Sequence, residues 1–209
     1  ILQIISDLGK FMLNKKTVAV IVPCYNEENQ VSKVVNTIPK FVDLIIVVDD
    51  CSIDNTRKVL HTLQNNSVES KKQFKKPKVY KKSKNPYDQA ENVINEQRIK
   101  ENSKYTPSKI IEKLNSKLVI IEHQLNAGVG ASISSGYKYA RDYQIDCTAV
   151  MAGDGQMDPS ELEAICNPVV KEKAEYSKGN RLRHKSAYLI IPKLRFFGNS
   201  VLSILTKIS

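Results

Sequence analysis

The chain reads as an α/β protein built on a doubly wound, mostly parallel sheet with helices on both faces. Val18–Val22 and Leu44–Val48 are unbroken apolar runs rich in valine and isoleucine, the pattern of strands buried on both faces. Each run is followed by a polar loop and then by apolar residues at helical spacing. The alternation returns at Leu118–Ile121 and Thr148–Met151. Strands alternating with helices argue for right-handed βαβ units.

Ile1–Leu13 places apolar residues at positions 1, 4, 5, 8, 11 and 12, a helical stripe that either packs on the domain or lies on a membrane surface. Glu28–Ile38 is the helix after the first strand, with Val31, Val34, Val35 and Ile38 on one face, and Pro39 ends it. Asp54 is a suitable N-cap for a helix running to about Leu63, with Val59, Leu60 and Leu63 apolar. Ala90–Lys100 and Ser108–Asn115 are short helical candidates. Gly128–Tyr143 is expected to be a helix with Ile133, Tyr137 and Ala140 inward. Ser160–Val170 is the next, opened by Asp158-Pro159.

A length of 209 residues suits one domain, 1–209. The sequence starts at Ile1 and stops at Ser209 within an apolar periodic segment, so a C-terminal truncation is expected. No apolar run approaches the roughly 20 residues needed to span a bilayer, and no secretory signal is visible. The four cysteines and three histidines are scattered without metal-site spacing. Reduced thiols in a cytoplasmic protein are the expectation.

The net charge of +10 is concentrated: 66–117 holds 13 Lys and one Arg against six acidic residues, a net of +8. Eight of those lysines fall between Lys71 and Lys84 without an acid or any apolar periodicity. This stretch is set apart as a lysine-rich insertion, partly disordered in its first part. Clustered lysines bind phosphate backbones. With only Phe74, Tyr80, Tyr87 and Tyr105 available for stacking, nucleic acid is disfavoured against a solvated loop or a tether to anionic lipid.

The polar loops after the strands carry the chemistry. Pro23-Cys24-Tyr25-Asn26-Glu27-Glu28 follows the first strand, and Asp49-Asp50-Cys51-Ser52-Ile53-Asp54-Asn55-Thr56 closes the second. In an open α/β sheet both stand at the carboxyl-end crevice where ligands bind. Ala152-Gly153-Asp154-Gly155-Gln156 follows the fourth strand, with glycines that admit a close ligand and a carboxylate suited to Mg2+ or Mn2+. The alternative for Asp154 is a turn residue leading into the next helix. Asn126-Ala127-Gly128-Val129-Gly130 is a glycine-rich strand-to-helix turn. It either binds phosphate at the helix N-terminus or packs closely on its helix. The first strand leads into no G-x-G-x-x-G turn, which disfavours a nucleotide-dependent oxidoreductase.

Together these motifs resemble the family 2 inverting glycosyltransferases of GT-A fold, a Rossmann-like architecture. The resemblance covers Thr17–Leu63 and Leu118–Ser209, and the nearest subgroup is the dolichyl- or polyprenyl-phosphate sugar synthases. It implies transfer of a sugar from a UDP- or GDP-linked donor to a polyprenyl phosphate, at the cytoplasmic face of a membrane with an anionic surface. A glycan hydroxyl as acceptor, or a degenerate domain that binds sugar nucleotide without turnover, are the alternatives. The resemblance assigns Pro23, Tyr25, Glu27, Asp49, Asp50, Gly128 and Gly153 to the donor. It assigns Asp154 and Gln156 to the metal, and Asp154 with Arg181 to catalysis. Arg181 lies in Gly179-Asn180-Arg181, and Arg195 in an amphipathic segment is assigned to the lipid phosphate. Two positions depart from the family pattern: Ala152 replaces the first metal-motif aspartate, and Cys51 replaces a glycine, so the turn there is expected to reach positive φ less freely.

Overall fold

The computed structural model describes residues 13, 16–67, 74, 84, 85, 87, 89–113, 116–179, 197, 198, 201 and 202. Residues 1–12, the lysines between 71 and 82, Arg181 and Arg195 lie outside these. The chain divides into two compact units, Ile1–Glu175 and Tyr176–Ser209, and every strand and helix named below lies in the first.

Five strands form one sheet: β1 (Val18–Cys24), β2 (Leu44–Asp49), β3 (Ser108–Ile111), β4 (Leu118–His123) and β5 (Cys147–Val150), in the order β3-β4-β2-β1-β5. Four run parallel, and β3 pairs antiparallel with β4 at one edge. The helices are α1 (Val31–Thr37), α2 (Thr56–Asn65), α3 (Gln89–Asn102), α4 (Val129–Asp142) and α5 (Leu162–Val170), with a 3-10 turn, Pro159–Glu161, before the last. Every residue of β1 and β2 is buried, as their unbroken apolar runs require in a sheet covered on both faces.

The pleat sends alternate side chains into two separate cores. Val18, Val20, Val22, Ile45 and Val47 pack with α1, α2 and α5. Ala19, Ile21, Ile46 and Val48 pack on the other face with Tyr139 and Ala140 of α4. The α1 face is the expected one, with Val31, Val34, Val35 and Ile38 buried.

Three expectations need correction. Ser108–Ile111 is an edge strand and not a helix: Ile110 and Ile111 pair opposite Ile121 and Ile120. This β-branched pair is favoured on a pleated surface, and Lys109 suits an edge. The inward face of α4 is Ser132, Ser135, Gly136, Tyr139 and Ala140, whereas Tyr137 is exposed and Ile133 half-buried. Small residues let the helix descend onto the sheet: a Cβ on Gly136 would stand 2.4 Å from Ile21 Cγ2. Finally, Phe74 of the lysine-rich stretch packs, partly buried, against the α4-side core, so that stretch contributes to the core despite its composition.

The buried Gln64 of α2 ties the β3 edge down, donating to the carbonyls of Ile111 (2.8 Å) and Leu118 (3.2 Å). On the other face, Tyr139 and Tyr143 stack at 4.3 Å, and both hydroxyls donate to Glu112 just beyond β3. Burial first, then the neighbouring Tyr143 hydroxyl and Glu112, hold Tyr139 protonated far above the ordinary tyrosine range.

Candidate functional site

The four parallel strands follow the order β4-β2-β1-β5. The chain therefore steps outward from β1 through β2 to β4 and then crosses back to β5. The order reverses between β1 and β5, and the crevice beyond their carboxyl ends is where such sheets bind ligands. The loops after β1 and β5 flank that switch point, and the loops after β2 and β4 continue the rim.

The first two motif loops are bonded to each other. Asn26 N–H donates to Ser52 Oγ (3.0 Å), Glu27 N–H to Thr56 Oγ1 (2.8 Å) and Glu28 N–H to Asp54 Oδ2 (3.2 Å). In return, Ile53 N–H donates to Asn26 Oδ1 (2.9 Å) and Asn55 N–H to Glu28 Oε2 (2.9 Å). Asp54 also accepts from Thr56 N–H (2.9 Å) as α2 begins, but the N-cap position is Asn55, so Asp54 braces the turn one residue before the expected cap. Burial would raise the Asp54 carboxyl, but the bonds from Thr56 and Glu28 outweigh it and hold the group below its ordinary range. Cys51 adopts φ +63°, so its turn takes the left-handed backbone although a cysteine occupies it.

Asp49 and Asp50 are placed at the β2 end, but their carboxylates are engaged by protein donors. The Asp49 side chain is fully buried and accepts from Arg57 Nε (2.7 Å) and the Ser52 amide (3.3 Å). Arg57 Nη2 also reaches the His123 carbonyl (2.9 Å), so this guanidinium joins the ends of β2 and β4. Asp50 accepts from the amides of Ala127 (3.0 Å) and Gly128 (2.6 Å) and from His123 Nδ1 (2.7 Å). An anion therefore does sit at the N-terminus of α4, and it is the Asp50 carboxylate. That arrangement favours the packing alternative for the glycine-rich turn.

Across the switch point, Gly153 N–H donates to the Pro23 carbonyl at 3.1 Å, and a Cβ at Gly153 would stand 2.9 Å from Cys24 Cβ. Only glycine allows this approach, which brings the Asp154 loop against the end of β1. Pro23 itself is buried within β1, while Tyr25 is exposed on the loop. Asp154 Oδ1 accepts from the Gln156 amide (3.0 Å), and the Gln156 residue is exposed. The Glu27 carboxyl is raised above its ordinary range, first by burial and then by the negative charges of Asp154 and Asp54. Burial also keeps the Cys24 thiol protonated, which removes it as a nucleophile.

Among the described residues no group of three or more His, Cys, Asp or Glu is arranged to hold a metal. The donors at the switch point are oxygens from Asp154, Gln156 and the nearby Glu27. Hard oxygens of this kind fit Mg2+ or Mn2+ when a ligand's phosphate oxygens complete the coordination.

Residues 19–94 match the family described as Glycosyl transferase family 2. The match takes in both signature loops, Pro23–Glu28 and Asp49–Thr56. Over 192 residues it is 28% identical to a Methanococcus voltae protein named UDP-N-acetylglucosamine--dolichyl-phosphate N-acetylglucosaminyltransferase, covering 91% of this chain and 62% of that protein. An uncharacterized protein of Methanocaldococcus jannaschii is 23% identical over 195 residues, 93% of this chain and 58% of that one. The chain thus spans about three-fifths of the length of these curated relatives.

The two signature loops, the Asp154 loop and the glycine-rich turn converge on one rim, as their places after successive strands predict. Arg57, His123 and Ser135 also serve that rim, and sequence reading passed over all three. Arg57 directly follows the motif's Thr56, which was the available signal. His123 ends β4 between Glu122 and Gln124, and nothing in the sequence pairs it with Asp50. His61 Nε2 lies 2.7 Å from Glu122 Oε1 on the outer side of β4. No helix among the described residues is long and apolar enough to cross a membrane.

Proposed function

We propose that the chain is the nucleotide-sugar domain of an inverting glycosyltransferase whose acceptor is a dolichyl or polyprenyl phosphate. The observation that carries the reading is the convergence, at the sheet's switch point, of two mutually bonded acidic loops with the Asp154 loop. The name of the Methanococcus relative supports the acceptor class, and a UDP-linked sugar is the first donor to test, with GDP-linked donors second. Pro23, Tyr25, Glu27, Asp49, Asp50, Gly128 and Gly153 belong to the donor pocket. Asp49 and Asp50 shape it by holding the loops around the nucleoside.

A Mg2+ or Mn2+ ion held by Asp154 and Gln156 would neutralise charge on the departing diphosphate. Arg181 is assigned the same electrostatic task, and Arg195 the lipid phosphate. The acceptor phosphate oxygen attacks the anomeric carbon as the bond to the nucleoside diphosphate breaks, which inverts that centre. A phosphate oxyanion is already deprotonated near neutral pH, so the site needs no strong general base. The reading places the enzyme at the cytoplasmic face of a membrane with an anionic surface.

Incorporation of radiolabelled sugar from UDP- or GDP-linked donors into a polyprenyl phosphate tests this directly. Asp154→Asn is expected to cut turnover at least 100-fold, roughly the loss of one charge-stabilising group, with the melting temperature unchanged. Full turnover in excess chelator would overturn the metal assignment. Donor binding without turnover in the full-length protein would support the degenerate alternative that Ala152 raises.

A further inference from the structure

His123 is 1% exposed, and both of its ring nitrogens are engaged. Nδ1 donates to Asp50 Oδ1 at 2.7 Å, since a carboxylate oxygen can only accept, and Nε2 meets Ser135 Oγ at 2.9 Å. Asp50 directly follows β2, His123 ends β4 and Ser135 lies on the inward face of α4. One buried hydrogen-bonded chain therefore joins two strands and a helix behind the rim of the site. The same Asp50 carboxylate holds the amides of Ala127 and Gly128, and Cys51 Sγ reaches the Gln124 carbonyl at 3.7 Å. The Gln124–Gly128 turn is thus fastened to β2 chiefly through Asp50, and the orientation of Asp50 is set by His123. An apolar residue would fill this space at lower desolvation cost, so the polar chain is explained by what it orients.

We infer that His123 is a positioning residue for nucleotide binding: through its Nδ1–H it fixes Asp50, and through Asp50 the Ala127–Gly128 turn that walls the nucleoside side of the crevice. The inference rests on the nucleotide-sugar reading above and adds a residue to it. His123 does not touch the ligand. Loss of the Nδ1 donor leaves the carboxylate with two backbone partners and frees it to rotate, which moves the turn. Loss of the Nε2 contact keeps the Nδ1 donor but lets the ring turn, which loosens its hold on Asp50 to a lesser degree.

The test separates the two ring nitrogens. An asparagine amide reproduces a donor near Nδ1, and a glutamine amide reaches the Nε2 position. Calorimetry with UDP and GDP in the presence of Mg2+ identifies the tighter nucleotide, and that nucleotide is the probe. His123→Gln is expected to weaken it by about tenfold or more, as loss of a hydrogen bond to a charged group does. His123→Asn, at a comparable melting temperature, is expected to weaken it by less than about threefold, since a donor to Asp50 remains. Equal weakening by the two variants, or losses that simply follow their melting temperatures, would overturn the inference. Should His123→Gln fail to fold, Ser135→Ala carries the test. It unhooks the ring's far end, with an expected loss of about threefold, and unchanged affinity overturns the inference. If the parent protein binds neither nucleotide, the functional reading fails by itself. Amide exchange at Ala127 and Gly128 then decides the positioning role: faster exchange in the Gln variant than in the Asn variant sustains it, and equal exchange overturns it.

Discussion

At the scale of single residues, the rim stores small amounts of unfavourable energy. Cys51 holds φ +63°, a conformation that costs an L-residue roughly 1–2 kcal/mol and a glycine almost nothing. Glycine in turn loses more entropy on folding, which offsets part of the gain. Cys51→Gly is therefore expected to stabilise the fold by about 0.5–1 kcal/mol in urea unfolding. A net loss would show that the sulfur contact to Gln124 outweighs the backbone strain. Glu27 is raised by burial and by the charges of Asp154 and Asp54, so the folded state holds its proton more tightly than the unfolded chain does. The resulting penalty is absent at low pH, appears as pH rises through the unfolded carboxyl value near 4.3 and is complete above the folded one. Glu27→Gln should raise the melting temperature at pH 7 and leave it unchanged at pH 3. Adding Mg2+ with nucleotide should stabilise the parent more than the variant. An equal ligand shift in both proteins would remove Glu27 from the donor pocket. Asp54 acts in the opposite sense: its carboxyl is lowered, so its bonds from Thr56 and Glu28 stabilise above the ordinary aspartate range and are lost as pH falls through the folded value.

At the scale of elements, the parallel strands were legible because burial on both faces leaves an unbroken apolar run. The cap at Asp158 was legible because a short acidic side chain satisfies a first-turn amide, whereas Asp54 falls one residue short of the α2 N-cap, Asn55. The Asp158 Oδ1 to Ser160 N–H bond of 2.9 Å realises the former cap. What the sequence hid are elements whose partners are distant in the chain. Ser108–Ile111 is a strand because β4 stands beside it, and its four residues carry too little pattern to say so alone. The α4 face was misassigned because apolar size was taken as the guide, whereas close packing on a crowded sheet selects small residues. This makes two glycines of one helix behave differently. Gly136→Ala drives a Cβ to 2.4 Å from Ile21 and is expected to cost about 1–3 kcal/mol by overpacking. Gly130→Ala meets no atom within 4 Å and should gain about 0.5–1 kcal/mol from helix propensity. Urea unfolding of the two variants checks both. If Gly130→Ala also weakens nucleotide binding, the first turn of α4 meets the ligand directly, and the packing alternative fails.

At the scale of the whole molecule, the basic charge and the fold are nearly separable, and Phe74 is where they meet. The eight lysines of 71–84 carry most of the chain's excess positive charge, while Phe74 among them rests on the core beside α4. Deleting the segment would confound the two, so the test is substitution. Replacing the lysines by glutamine and keeping Phe74 should leave the unfolding transition where it was, because solvated charges add little to the folded state. The same variant should bind vesicles of anionic lipid more weakly, since each lysine near such a surface contributes about 1 kcal/mol within a Debye length. The difference should shrink as salt is raised. Phe74→Ala should do the reverse: vesicle binding is retained, and stability falls by about 1–2 kcal/mol for a half-buried aromatic side chain. Vesicle binding that survives loss of all eight lysines would move membrane attachment elsewhere. Salt-sensitive RNA binding that disappears with the lysines would restore nucleic acid as their partner.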